Sequence, residues 1–365
     1  MRFINLLVIL LLCCGTTALA QQGADKLDIT IDTESAEAIC RLLHARKVDT
    51  TLIAQAADLY GNRLLIRKVQ GYSGFGKDAF VASLKELAET GTIKKADPYN
   101  WKVVKAQLPQ IEALLQYIRS NRVTFLQQIK ALIIPFTPAG LEAKAKACFL
   151  VGGGSLGFTT GSDPTFNVAL QKIGNDVQGL QYLVAHELYH TLQDAGQHTR
   201  QIRPDTTVTY PVKATYYLLY NLWAEGTANF VGDLSKSTSG KAFTVEQKAV
   251  YRKNADRSRT NFQLFETLLY RQYHDTTARY SDLYNIAFTT AFDETAYAAG
   301  YDICRQLATH LGDSSVAALL LKDPLEFTTA YIALYKAHPD DPSFFRFSSS
   351  VEAIIAALEP WKGRI

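Results

Sequence analysis

Apolar residues recur at helical spacing along most of this chain and gather into short unbroken runs only near its middle. Residues 35–47 predict a helix with Ala36, Ile39, Cys40, Leu42 and Leu43 on its apolar side. Residues 51–60 and 77–89 predict two more, and 108–134 carry a longer helical period, in one piece or two, that stops at Pro135 and Pro138. The glycine-rich stretch 71–76 has the outline of a phosphate loop. It lacks a preceding strand and a Gly-Lys-Ser/Thr ending, so it reads as a link between helices.

The middle of the chain has a different rhythm. Residues 147–151 form a short apolar run ended by Gly152, Gly153 and Gly154, a turn-rich stretch follows to Pro164, and 166–170 are again apolar apart from Asn167. This pattern predicts two or three short strands. Helical spacing returns over 180–193, 214–234, 244–271 and 293–311, then continues in pieces broken at Pro324, Pro339 and Pro342. The expected fold is α+β and mostly helical, with a small sheet packed beside the helix that starts near residue 180.

The first twenty residues have another purpose. Arg2 precedes an apolar run over 3–12, and Ala18-Leu19-Ala20 is a small-x-small cleavage site, which together predict a secretory signal peptide cut after Ala20. The run is too short to span a bilayer, and no later segment is apolar for long enough. A secreted or periplasmic protein is therefore expected. Lysine plus arginine number 38 against 35 aspartate plus glutamate, so no basic excess argues for nucleic acid. Cys40, Cys148 and Cys304 remain after cleavage; an odd number at wide spacing defines neither a disulfide framework nor a cysteine zinc site. Buried apolar cysteines are expected.

Chemistry enters with His186-Glu187-Leu188-Tyr189-His190, an H-E-x-x-H pattern inside a helix-forming segment. Residues four apart on a helix lie about 40° apart around its axis, so both imidazoles reach one zinc ion and Glu187 sits beside them. Leu180, Val184, Leu188 and Leu192 form an apolar stripe on the opposite side, so the histidines turn toward a cleft. A catalytic zinc takes a third protein ligand and keeps one position open. The extended motif with glycine at 193 and histidine at 196 is absent, because Gln193 and Gly196 stand there, and His198 is expected in a loop. An acidic ligand from a later helix remains, and Glu225 fits it best. Asn221, Glu225 and Asn229 line up on one side of that helix, while Tyr216, Leu219, Tyr220, Trp223 and Phe230 line the other. Gly226 and Ala228 would let another helix come close. Asn229 is a candidate support for a ligating histidine.

His186-Glu187 with His190 and a downstream helical Glu225 resembles the gluzincin metallopeptidases, the thermolysin-like clan. The chain is also similar to poorly characterised secreted bacterial zinc-dependent peptidases, through its helical N-terminal part, the glycines between 152 and 161, Glu225-Gly226 and Gly300-Tyr301. Asn229 departs from the thermolysin pattern, which has aspartate there. The resemblance implies a zinc cofactor, a peptide or protein substrate, and an organisation of signal peptide (1–20), helical N-terminal subdomain (21–140) and catalytic region (141–365). It also implies an extended substrate laid along an edge strand, for which 149–153 and 166–170 are the candidates.

The expected mechanism is hydrolysis by a zinc-bound water, with zinc on His186, His190 and Glu225 and with Glu187 as general base. Tyr301 is the candidate donor to the developing oxyanion, ahead of Tyr297 and His274. Two rival readings are a zinc hydrolase of non-peptide amides or esters and a non-catalytic secreted metal-binding protein.

Overall fold

The computed structural model describes residues 26–45, 49–159 and 164–365. The expected signal peptide over 1–20 lies outside them. A four-stranded sheet, in the order β1-β2-β4-β3, lies between two groups of helices. β1 (Leu27–Asp32) alternates apolar and polar residues, burying Leu27 and Ile29 and exposing Asp28 and Thr30. It pairs in parallel with β2 (Ala143–Leu150), Leu27 opposite Ala143 and Asp32 opposite Cys148. β2 pairs in parallel with β4 (Thr165–Ala169), and β4 runs antiparallel to β3 (Gly157–Thr159), with Gly157 opposite Val168. β2 ends in an unbroken apolar run and β4 is buried throughout because both are interior strands covered on both faces. β1 and β3 are the edges.

Among the described residues, seven helices separate β1 from β2: α1 (Glu34–His44), α2 (Thr50–Asp58), α3 (Tyr60–Ser73), α4 (Lys77–Thr90), α5 (Trp101–Ala106), α6 (Leu108–Ser120) and α7 (Arg122–Ile133). Of these, α1 and α3 pack on β2. The long α8 (Val177–His198) also packs on β2 and on β4, and its stripe of Leu180, Val184, Leu188 and Leu192 is fully buried. Asp176 starts α8 by accepting the Gly179 N–H at 2.9 Å. The chain continues through α9 (Tyr210–Val231), α10 (Ala242–Asp256), α11 (Ser258–His274), α12 (Tyr280–Phe288), α13 (Thr295–Leu311), α14 (Asp313–Leu319), α15 (Leu325–Ala337) and α16 (Ser349–Leu358). Among the described residues no helix is long and apolar enough to cross a membrane.

The protein is mostly helical with one small sheet, as the patterning predicts. Differences are local. The expected helix over 244–271 breaks in two at Arg257, whereas 108–134 takes the two-piece form of its prediction, parted at Asn121. The stretch 71–76 is only partly a link, because α3 runs on to Ser73 and stops at Gly74, whose φ of 76° ends the helix. α8 does not end before His198 but carries it. Strand β1 and helices α3, α5 and α12 join the fold beyond the elements that the patterning predicts. The three cysteines are free and buried.

Two helix crossings set the geometry of the second half. α9 and α13 meet where a Cβ on Gly226 would stand 2.5 Å from the Gly300 backbone, and a Cβ on Gly300 would stand 2.5 Å from the Leu222 carbonyl. α13 is thus the close partner that Gly226 was expected to admit. At its C-terminal end α9 passes α8, where a Cβ on Gly232 would lie 2.7 Å from the Cβ of His186. Any side chain at these points forces backbones apart. Gly300→Ala should therefore destabilise the protein by about 3 kcal/mol, at or above the upper end of ordinary overpacking. The check is the urea midpoint at constant slope; an unchanged midpoint would mean that the helices slide freely.

Candidate metal centre

α8 and α9 bring His186, His190 and Glu225 together. The His186 and His190 Nε2 atoms are 3.2 Å apart, and Glu225 Oε2 lies 3.7 Å from the first and 3.3 Å from the second. One ligand atom from each of the three residues lies within 4.8 Å of the others. All three side chains are at most one-fifth exposed.

The hydrogen bonds fix which electrons face inward. Gln193, buried one turn beyond His190, donates through Nε2 to the Ala224 carbonyl at 2.8 Å and to Thr227 Oγ1 at 2.7 Å. A carbonyl only accepts, so the Gln193 amide can point only one way, and its Oε1 must be the acceptor from His190 Nδ1 at 2.8 Å. Nδ1 therefore carries a proton, and Nε2 is the nitrogen that faces Glu225 and that offers its lone pair when the ring is neutral. His186 in its turn hydrogen-bonds the Ala228 backbone. Glu225 Oε2 is buried without a hydrogen-bond partner. Electron-pair donors crowded this closely need a cation between them. Zinc fits: ligand atoms held at about 2.0–2.1 Å in a tetrahedron lie roughly 3.3 Å from one another.

Titration follows the same crowding. Burial pushes the Glu225 carboxyl up, but His190, then His186 and Tyr297, outweigh it and hold it below the ordinary range. Burial pushes the His190 imidazolium down, but Glu225, Glu187 and Gln193 outweigh it and raise it to about 9. His186 falls to about 4, through burial and the neighbouring His190. Burial carries the Glu187 carboxyl up to about 7, with His190 opposing and Glu225 adding.

These groups open into a cleft of about 800 Å³ whose wall includes edge strand β3. Glu187 points at that strand; a Cβ on Gly157 would stand 2.4 Å from Glu187 Oε1, so only glycine leaves the carboxylate its place. Tyr297 of α13 lines the same cleft, with its ring parallel to His186 at 6.4 Å between centroids. Its hydroxyl interacts with Glu225, and burial, with Glu225 adding, keeps the phenol protonated far above neutral pH.

Several expected positions resolve differently. Tyr301 does not reach the cleft: its hydroxyl donates to buried Asp233 at 2.8 Å, and its ring sits against Phe230 and Tyr251. Tyr297, one turn earlier, is the phenol beside Glu225. His274 packs against Tyr270 and Tyr273 instead. Asn229 supports no histidine; its Oδ1 accepts from the Tyr251 hydroxyl at 3.0 Å, and Gln193 does the supporting. Neither candidate substrate strand is an edge, since β2 and β4 are paired on both sides. The room beside Gly152 and Gly153 is filled by Trp101 and Leu65. The strand on the cleft is β3, too short to stand out in the sequence. His198 borders the cleft without joining the group of His186, His190 and Glu225.

Residues 53–340 match the family described as "Putative zinc dependent peptidase (DUF5700)". No match was found among curated proteins or among solved structures.

Metal-free protein should reveal the pairing through pH. The folded His190 value of about 9 lies above the unfolded value of about 6.5, so this contribution is complete below 6.5 and lost as pH rises through 9. Glu225 is shifted the other way, and its contribution is lost only as pH falls through its depressed folded value. Glu225→Gln should flatten the alkaline fall in stability between pH 6.5 and 9, read as urea midpoints of the metal-free proteins. Parallel curves would contradict the coupling.

Proposed function

The chain belongs to this zinc-dependent peptidase family, and from that premise we propose that His186, His190 and Glu225 hold a catalytic zinc of the gluzincin type and that the protein cuts peptide bonds. The observation that carries the reading is three inward-facing ligand atoms on the floor of a cleft, with one buried carboxylate, Glu187, beside them. The group has three members among the described residues, which leaves a position for water or substrate, whereas structural zinc sites are closed by four protein ligands.

When bound, zinc supplies a Lewis acid that polarises the scissile carbonyl and makes water a nucleophile at neutral pH. The remaining work falls to the chain. Glu187, with a pKa carried to about 7, is suited to take a proton from water through Oε1 or its partner oxygen and to pass it to the leaving amine. Gly157 keeps that carboxylate in line with β3. The Tyr297 hydroxyl, held protonated by burial, turns its one proton from Glu225 to negative charge developing on the carbonyl oxygen. β3 offers its free edge to an extended chain, so main-chain hydrogen bonds would draw the scissile bond past Glu187. That edge favours a peptide over a small ester or amide. In the same reading the protein works outside the cytoplasm, directed there by the leader in its first twenty residues.

Glu187→Gln should keep one zinc per chain and lower hydrolysis of a quenched peptide library by at least about 100-fold. Full activity, or loss of the metal, would remove Glu187 from this role. Tyr297→Phe should lower kcat about 10²–10³-fold with zinc retained, while Tyr301→Phe leaves kcat within a few-fold. The reverse ranking would return the oxyanion role to Tyr301.

A further inference from the structure

Gln193 lies outside the H-E-x-x-H motif, yet its one amide touches both helices that carry the ligands. It is 1% exposed. Its Oε1 accepts from His190 on α8, and its Nε2 donates to Ala224, the residue before Glu225, and to Thr227 on α9. Thr227 Oγ1 also donates to the Trp223 carbonyl at 2.8 Å, so its lone pair is what meets Gln193. The Ala224 carbonyl can only accept, and it fixes the sense of the amide. The direction runs from His190 Nδ1–H to Gln193 Oε1, and from Gln193 Nε2–H to the backbone of α9.

We infer that Gln193 is a positioning residue for the metal centre: it locks His190 in the tautomer whose Nε2 is free to ligate, and it ties that nitrogen to Glu225 before any metal arrives. The inference rests on the proposed zinc centre. Imidazoles that ligate metals are commonly oriented by an acceptor on their other nitrogen, and loss of such a partner weakens metal binding about 10–100-fold. Here the acceptor is neutral and comes from the same helix. A neutral acceptor holds the ring without adding a further charge to a site already crowded by Glu187 and Glu225.

The distinguishing feature of this role is the acceptor alone. Gln193→Leu keeps most of the volume and removes the acceptor and both donors. Gln193→Glu, kept protonated by burial, retains an acceptor toward His190 and one O–H donor toward Ala224 without adding charge. Thr227→Val removes one anchor of the amide and leaves the Ala224 bond in place. Zinc dissociation constants are measured for wild type and each variant by competition with a chromophoric chelator, with the thermal midpoint of each metal-free protein alongside. Expected are a 10–100-fold weaker zinc affinity for Gln193→Leu, near-wild-type affinity for Gln193→Glu, and a smaller loss for Thr227→Val. The inference is overturned if folded Gln193→Leu binds zinc as wild type does, or if Gln193→Glu loses affinity to the same extent as Gln193→Leu. Should Gln193→Leu fail to fold, the other two variants decide, since equal losses in both would also overturn it. Wild-type protein that binds no zinc at all would instead strike down the metal centre itself.

Discussion

Everything on the cleft side of this protein depends on how closely three helix backbones approach. α9 crosses α13 at Gly226 and Gly300, and crosses α8 where Gly232 lies against His186. Because no Cβ stands between them, Glu225, next to Gly226, is carried to within 4 Å of both histidines. The same crossing decides which tyrosine matters. Tyr297 and Tyr301 are one turn apart on α13 and share a face, but only Tyr297 falls beside Glu225 once the glycines meet.

Such an approach brings a liability. A carboxylate oxygen without a hydrogen bond and two imidazole nitrogens are packed together away from water. In the absence of metal a proton shared among them relieves part of the crowding, which is why His190 is raised and Glu225 lowered. A divalent cation relieves it more fully, so fold and metal affinity are coupled. Glu187 stands just outside this cluster, buried against Gly157 of β3, and is left as the group able to exchange protons near neutral pH.

Much of this was legible in the sequence, for definite reasons. H-E-x-x-H fixes its own geometry on any helix, and the leucine stripe behind it fixes the direction. Glu225 stood out because Gly226 beside it announced a close crossing. Other features had no local signature. β1 alternates as a strand should, but it is short and borders a strong helix. β3 is three residues long, and its role comes from lying on the edge after β4 takes the interior. In the sequence Gln193 registers only as a position lacking glycine; nothing in a linear pattern shows that its amide reaches across to Ala224. Tyr297 and Tyr301 could not be separated by helical phase alone, since both project toward the same side.

The central claim is an open zinc site made of two imidazoles and one carboxylate. Zinc K-edge X-ray absorption on the metal-loaded wild-type protein tests it directly. The expected spectrum has two histidine nitrogens and two oxygens at about 2.0–2.2 Å, one from Glu225 and one from solvent. A sulfur shell at about 2.3 Å, or four protein ligands with no solvent oxygen, would contradict it.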